Sequence, residues 1–546
     1  MKIVIIGSVA AGTSAAAKAR RNNLENEIVI YEKDSDISYS ACGLPYFIGE
    51  DYINRKNLVP RNAEWFKKRF DINIKTEHEV KSIDTENKTL EVLNLLTGEK
   101  FTDCYDVLLL ATGAKAVIPE IAGFDSKNVF SLRNIKNGES IKKYITENSP
   151  KSAVIIGSGF IGIEMAENLV KRGIKVSIIE EKNQVMPSVD IEMAEYVEKE
   201  LIKNGVAVYK NESAEKIENK KVITSSGKVI EADMVILAVG VKPETELAKQ
   251  VGVELGVSGA IKVDKEMRTN IKDIFAAGDC AESFNLIDRR SFYRPLGSTA
   301  NKMGRIAGDV ITGMNLEFRG ILGTGIVRCF DLTIAHTGYT EKEAVRFGYD
   351  IEVIHNIKPN QTEYFEGSSE MVIKGIADRA TGKLIGVQIV GKKGVDKRID
   401  VFATAMTFGA KAEDLFHIDL AYAPPYSTAK DPVMYTGMIL ENALKKERKV
   451  VTPLELMEKR EEFTIIDVRA EEDYENGHID GAINIPLDKL QEKSKEIDKK
   501  IKIAVHCNKG VTGNAAQNLL INLGFKEVYN ISGGYKGYKN EEKMKK

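Results

Sequence analysis

Two segments of the same construction restrict what this chain can become. Each opens with a short apolar run that reads as a buried strand, passes through a glycine-rich turn and continues as a helix of small residues. The first is Lys2–Ile6, then Gly7-Ser8-Val9-Ala10-Ala11-Gly12, with a helix expected over 13–21. The second is 153–156, then Gly157-Ser158-Gly159-Phe160-Ile161-Gly162, with a helix expected over 163–171. A further apolar strand follows each helix and ends on an acid, Glu32 or Glu180, 20 positions beyond Gly12 and 18 beyond Gly162. That spacing suits a dinucleotide-binding βαβ unit. The first glycine allows a turn with positive φ, and the others let backbone approach a pyrophosphate. The phosphates then meet unpaired N–H groups at a helix N-terminus, and the carboxylate receives ribose hydroxyls. The first turn departs from the pattern at Val9, where a middle glycine is usual.

The rest of the composition narrows the field. A chain of 546 residues is too long for one core and predicts three to four domains. Lys+Arg 78 against Asp+Glu 80 leaves a net charge of -2, with no basic surplus to suggest nucleic acid. No apolar run approaches the ~18 residues of a membrane helix, so no membrane partner is expected. Residues 1–6 run straight into the glycine turn and read as a strand, not a secretory signal. Five cysteines without a CxxC pair, and six histidines without ligand spacing, predict neither a disulfide scaffold nor a metal site. A reducing cytoplasm is the expected setting.

Two more segments extend the nucleotide reading. Val107–Leu110 leads into Ala111-Thr112-Gly113, and a strand expected over 271–277 leads into Gly278-Asp279, where Asp279 is placed for a flavin ribityl hydroxyl. In this order the motifs resemble those of the two-dinucleotide disulfide reductase flavoproteins, of the pyridine nucleotide-disulfide oxidoreductase family, over about 1–445. The resemblance implies FAD at the first turn and NAD(P)H at the second. It also implies cofactor contacts at Ala10, Lys33, Val80 and Gly240. Glu180 followed by Glu181 favours NADH, while Lys182 leaves NADPH open.

Cys42, in Ser38-Tyr39-Ser40-Ala41-Cys42-Gly43-Leu44-Pro45-Tyr46, follows Glu32 by ten residues. Pro45 suits the first turn of a helix, so Cys42 is expected at a helix N-terminus, where the dipole favours a thiolate. Cys104, Cys280 and Cys329 read as structural. No second cysteine lies near Cys42, so an oxidised state requires a mixed disulfide with a small thiol or a sulfenic acid.

Asp396-Lys397-Arg398-Ile399-Asp400, Ala421-Tyr422-Ala423-Pro424-Pro425-Tyr426 and Lys430-Asp431-Pro432 are similar to segments of coenzyme A-disulfide reductases. By that resemblance Tyr364 and Tyr422 reach Cys42 from the partner subunit of a homodimer and act on the departing sulfur. Coenzyme A contacts map onto Ser14, Lys18, Arg21, Ser38 and Lys430. Asn301 stands where some relatives have a histidine.

The segment 463–466 with Asp467-Val468-Arg469, and Gly477-His478-Ile479-Asp480-Gly481, resembles the rhodanese sulfurtransferase module, which matches most of 451–546. A strand over 502–506 delivers Cys507 into Asn508-Lys509-Gly510-Val511-Thr512-Gly513, before a helix expected over 514–523. Backbone N–H groups there stabilise a thiolate or persulfide. Thr512 replaces an arginine common in such loops, which favours a thiol persulfide over thiosulfate. His478 reads as structural, and Lys445-Lys446-Glu447-Arg448-Lys449 as a solvated linker.

The expected fold is α/β. It has an FAD-binding domain at 1–113 and 245–320 and an NAD(P)H-binding domain at 114–244, both Rossmann-like. An α+β dimerisation domain at 321–445 and a rhodanese domain at 451–546 follow. The expected enzyme reduces coenzyme A persulfide, polysulfide or disulfide through Cys42, with sulfur transfer at Cys507. The alternative is an NADH oxidase or peroxidase cycling through a Cys42 sulfenic acid.

Overall fold

A computed structural model describes residues 1–445 and 447–542, and Lys446 of the charged run lies outside them. The described residues divide into two units, residues 1–181 with 205–323, and residues 182–204 with those described from 324 onward.

In the first unit each glycine turn sits at the centre of a parallel five-stranded sheet, counted among the described residues. One sheet runs Ile274–Ala276, Val107–Leu110, Lys2–Ile6, Glu27–Tyr31, Asn73–Lys75. The other runs Ala207–Lys210, Lys175–Glu180, Ser152–Ile156, Met234–Leu237, Val129–Ser131. Past their first residues the inner strands are buried and mostly apolar, as parallel strands covered on both faces must be. The helices start earlier than expected, at Ala11 and Phe160, because each turn closes within a few residues of its first glycine. The strand expected over 271–277 is shorter, Ile274–Ala276. Asp273 adopts φ 64 and Ile274 N–H donates to Ile271 O, so the residues before Ile274 form a turn.

The second unit holds an antiparallel sheet ordered Gly325–Cys329, Leu332–Gly338, Leu384–Gly391, Glu370–Asp378, Ile351–Pro359. The helices Val395–Thr407 and Pro432–Lys445 belong to the same unit. The helix Ile191–Lys203, which falls inside the 114–244 range expected for the NAD(P)H-binding domain, also groups here. Its Glu192 and the preceding Asp190 meet Lys374, which is 0% exposed on Glu370–Asp378. Lys374 Nζ also lies 2.7 Å from Glu341. Burial opposes all these charges. The pull of Glu192 and Asp190 nevertheless raises Lys374, and Lys374 together with His355 lowers Glu192. Asp190, Glu192 and Glu341 could group around a metal ion, but the ammonium already supplies the positive charge they share.

The C-terminal part carries a parallel sheet ordered Val450–Val451, Val528–Ile531, Ile503–His506, Thr464–Asp467, Ile483–Asn484. The charged run before it is not simply solvated. Arg448 donates to Asn518 at 2.7 Å and Lys449 pairs with Glu527 at 2.7 Å, so the run's end is fastened to this domain.

In the first unit the helix Ala11–Asn22 crosses Gly297–Ile311 closely. A Cβ on Gly304 would stand 2.2 Å from Ala11 O, and one on Gly308 2.2 Å from Ala15 O. Gly304→Ala must separate these helices, and a loss of about 1–3 kcal/mol, typical of overpacking, is expected as a lower thermal midpoint in calorimetry. An unchanged midpoint contradicts this account of the crossing.

Candidate active site

The two nucleotide turns are built alike. Gly7 and Gly157 take φ 105 and 100, and a Cβ on either would strike a carbonyl of the neighbouring strand's extension, Ala111 O at 2.2 Å or Ala238 O at 2.5 Å. Glu32 reaches back over its turn and accepts from Ser8 N at 2.9 Å, Ser8 Oγ at 2.8 Å and Asp34 N at 2.9 Å. Glu180 does the same with Ser158 N at 3.0 Å and Ser158 Oγ at 2.5 Å. Burial pushes the Glu32 carboxyl up, against the bonds from Asp34 and Ser8. A Cβ on Gly159 would meet nothing within 4 Å, which leaves the open face a pyrophosphate needs. With Val9 at the matching place the helix begins one residue later, at Ala11, with Ala10 as its cap residue in place of Gly159. These donors fit a dinucleotide at each turn.

Around the first turn, Thr112 Oγ1 donates to Glu244 O at 2.6 Å, and Gly113 and Gly278 take positive φ. Asp279 is paired with Arg133 at 2.8 Å, and Tyr293 OH donates to Asp279 O. Val80 is buried in His78–Asp84, whereas Lys33 is exposed. Gly240, with φ 111, lies just past Met234–Leu237 in the second sheet.

Cys42 stands exposed in a single turn, Ala41–Gly43, ahead of the short helix Leu44–Gly49. The expected thiolate-favouring helix end is therefore weak. Protein packed about the thiol pushes its titration up, and the Glu164 and Asp279 carboxylates add to this while Arg133 opposes. Charges from both nucleotide units thus converge on one sulfur. Asp279 belongs to the flavin-type segment, and Glu164 lies on Phe160–Lys171, where it accepts from Tyr46 OH at 3.1 Å. Sequence reasoning missed Glu164 and Arg133. Glu164 stands two residues after the third glycine of the second turn, the signal that pointed there.

Ser14 donates to Asn301 at 2.6 Å, and Ser38, at φ 48, donates through its N–H to Ser8 O, so both flank the first turn. Lys18 is paired within its own chain. Its Nζ lies 2.8 Å from Asp309 and 2.9 Å from Asn22 Oδ1. Arg21 is exposed and lies over Phe70.

Tyr364, Tyr422 and Lys430 are all exposed in the second unit. A buried ion pair organises the two loops that carry them. Arg398 is 1% exposed, donates to Asp431 Oδ2 at 2.9 Å, Asn360 O at 2.7 Å and Ser427 Oγ at 3.2 Å, and so links residues 360–369 to 421–431. Thr362 Oγ1 donates to Ser427 O between the same loops. Tyr422 and Tyr426 border a cleft of about 530 Å³ with Arg398 and Lys397 on its wall. Arg398 was read only as part of a segment; its role as the tie was not.

Cys507 is 6% exposed at the end of Ile503–His506. Gly510 N–H points at its Sγ, 3.2 Å away, and the helix Val511–Asn522 begins at the next residue. Tyr535 N–H donates to Cys507 O and Lys536 N–H to Asn508 O. The neighbouring His506 is buried and pushed down to about 4. His478 stacks on Tyr474 and is exposed. Cys280 and Cys329 are buried, and Cys104 is exposed at a strand end.

Two dinucleotide turns on parallel sheets, a lone thiol between their charges and an antiparallel partner domain define a flavin-type disulfide oxidoreductase architecture. The chain belongs to the pyridine nucleotide-disulphide oxidoreductase family, whose model matches residues 1–300 and whose dimerisation domain matches 326–432. The family is FAD-dependent and uses NAD(P)H. A rhodanese-like domain matches 452–541. Among curated relatives, the chain is 37% identical over 445 residues to an NAD(P)H sulfur oxidoreductase (CoA-dependent) of Pyrococcus furiosus, covering 81% of this chain and 99% of that one. Among solved structures it is similar to reduced Bacillus anthracis CoADR-RHD, with TM-score 0.96, 40% identity and 99% and 98% of the two chains covered. It is also similar to an NAD-dependent persulfide reductase from A. fulgidus, with TM-score 0.90, 35% identity and 98% and 99% covered. No described helix is long and apolar enough to cross a membrane.

The charges around Cys42 make a prediction for the flavin-free protein. Glu164→Gln removes a carboxylate that holds the thiol protonated, so Cys42 is expected to alkylate faster at pH 8 than in the unmodified chain. Site-resolved alkylation rates check this, and a slower Cys42 contradicts it.

Proposed function

We propose that this chain is an FAD- and NAD(P)H-dependent reductase of coenzyme A persulfide and coenzyme A disulfide, working through Cys42, with sulfur transfer at Cys507. The observation that carries the reading is the setting of Cys42. It is one exposed thiol with charges from both nucleotide units beside it and, among the other cysteines, none in its segment. A thiol without a resolving partner has to take its second sulfur from the substrate.

Glu32, Gly7, Gly12 and Asp279 would hold the flavin, and Glu180, Gly157, Gly159 and Gly162 the nicotinamide nucleotide. The bound flavin supplies a two-electron path from NADH to sulfur. Cys42 thiolate attacks the S–S bond, forms a Cys42 mixed disulfide and expels the other half as thiolate or hydrosulfide. Each cycle consumes one NADH and one proton per S–S bond, and two thiols, or one thiol and hydrogen sulfide, leave. Glu180 without a neighbouring arginine suits NADH, and Lys182 leaves NADPH open.

We further propose a homodimer in which Tyr364 and Tyr422 of one copy serve Cys42 of the other. Their exposure in their own chain supports this, and a phenol of pKa ~10 is a suitable proton source for a departing thiolate. Ser14, Ser38, Arg21 and Lys430 are the proposed coenzyme A contacts. Lys18 contributes only if it exchanges Asp309 for a phosphate. The domain limits expected from the sequence and a cytoplasmic setting belong to the same proposal.

Anaerobic NADH oxidation with coenzyme A persulfide, coenzyme A disulfide or peroxide tests it. Cys42→Ser is expected to lower turnover by about 100-fold or more. Cys507→Ser should spare reduction of preformed coenzyme A persulfide and abolish transfer from a separate sulfur donor. Turnover supported by oxygen or peroxide alone favours the sulfenic acid cycle and sinks the proposal.

A further inference from the structure

The loop after Cys507 carries one cation in its sequence. Asn508-Lys509-Gly510-Val511-Thr512-Gly513 has Lys509 and, at Thr512, no arginine. Lys509 stands two residues after the thiol and directly before Gly510, whose N–H points at Sγ. Its ammonium is held from outside the rhodanese-like domain. It pairs with Glu370 and lies 3.8 Å from Glu363. Glu370 opens the strand Glu370–Asp378 of the dimerisation-domain sheet, and Glu363 belongs to the loop before it.

Glu370 has a second hold on the same place. Lys536 Nζ lies 2.8 Å from both Glu370 oxygens, and Lys536 N–H donates to Asn508 O at 3.1 Å. Tyr535 N–H donates to Cys507 O at 2.8 Å. A Cβ on Gly534 would stand 2.5 Å from Cys507 O and 2.8 Å from Lys509 N, so this turn lies directly on the loop. One carboxylate therefore meets both the loop's own cation and the cation of the turn that covers it. Burial raises the Glu370 carboxyl, but the bonds from Lys509 and Lys536 prevail and hold it below its ordinary value. It is ionised at neutral pH, and two ammoniums face two carboxylates at the border of the loop.

We propose that Glu370 is a specificity-determining residue of the Cys507 site: by holding Lys509 it withholds the loop's cation from sulfur donors whose reacting end is an oxyanion, the thiosulfate type. Thiosulfate brings its two negative charges to the thiol itself, and a cation free to meet them would raise encounter. A phosphorylated thiol persulfide carries its phosphates at the far end of the molecule, so it is not selected against. The dimerisation domain thereby restricts what the rhodanese-like domain accepts. The inference rests on the reading of Cys507 as a sulfur-accepting thiol.

The step at issue balances without an outside oxidant or reductant. Cys507 thiolate attacks the sulfane sulfur of thiosulfate, the S–S bond breaks, and sulfite leaves with the electron pair. The Cys507 persulfide then passes its outer sulfur to cyanide, which departs as thiocyanate and returns the thiolate.

The test uses the full chain and two readouts. The first is sulfur transfer from thiosulfate to cyanide, where Glu370→Gln is expected to raise kcat/KM for thiosulfate by about threefold or more at low salt. The second is alkylation of Cys507 by anionic iodoacetate and neutral iodoacetamide, read by mass spectrometry. Both reagents attack the thiolate, so a shift in its titration cancels in their rate ratio. Glu370→Gln is expected to raise this ratio by a similar factor, and added salt to shrink the gain. Glu370→Gln combined with Lys509→Met should lose the gain, and Lys536→Met, which leaves Lys509 on Glu370, should not produce it. An unchanged ratio in Glu370→Gln, equal acceleration by both reagents, or a gain that survives without Lys509 overturns the proposal. Sulfur transfer that persists in Cys507→Ser sinks the reading of that thiol, while the alkylation ratio judges Glu370 separately.

Discussion

A carbonyl oxygen pressed against a glycine α-carbon, once at Gly7 and again at Gly157, sets the geometry of both nucleotide turns. At these points a neighbouring strand approaches so closely that any side chain would overlap Ala111 O or Ala238 O. Positive φ and contact with a carbonyl are two demands that only glycine meets together. Once the turn is so tight, the following helix begins within a few residues and its free N–H groups face the turn's mouth. The acid at the end of the next strand then reaches the serine after the glycine, and its bonds to Ser8 or Ser158 lock the turn from the other side. The same solution in both sheets explains why two stretches with few residues in common fold alike.

The second unit relies on a different device, buried ion pairs. Lys374 among Asp190, Glu192 and Glu341, and Arg398 on Asp431, are each surrounded by further hydrogen bonds. Such pairs add little net stability, because desolvation offsets attraction, but breaking one side leaves a charge stranded at a cost of about 3–5 kcal/mol. Their effect is to select one arrangement. Arg398 has a fork that can satisfy a carboxylate, a carbonyl and a hydroxyl at once, and a lysine there could not. That fork holds the loop with Tyr364 and the loop with Tyr422 in one relation.

Much of this was legible in the sequence because it is local. Strands such as Lys2–Ile6 and Val107–Leu110 are marked by apolar runs, and their turns by glycine, so both were placed to the residue. Helix starts were set too late because the pattern reads the last glycine as part of the turn, whereas Gly12 already lies inside the helix. Affiliation across long separations was not legible. Nothing in the segment around Ile191–Lys203 signals that its acids seek Lys374, nearly two hundred residues on. Nor does a run of five charges announce that Arg448 and Lys449 have fixed partners. The environment of Cys42 was the least readable, since a helix-capping expectation from Pro45 says nothing of Glu164 or Asp279, which arrive from other elements.

That environment bears on how a lone thiol is useful. Packing about the thiol and then the Glu164 and Asp279 carboxylates favour the protonated form of Cys42, and the thiolate is the reactive one. Arg133 opposes them, but it is also paired with Asp279, so the balance at the sulfur depends on this ion pair as well as on Glu164. Any ligand that engages Asp279 or displaces Arg133 shifts this balance. A second cysteine in the segment would close a disulfide within the chain. Its absence leaves the incoming sulfur compound as the partner that completes the redox pair.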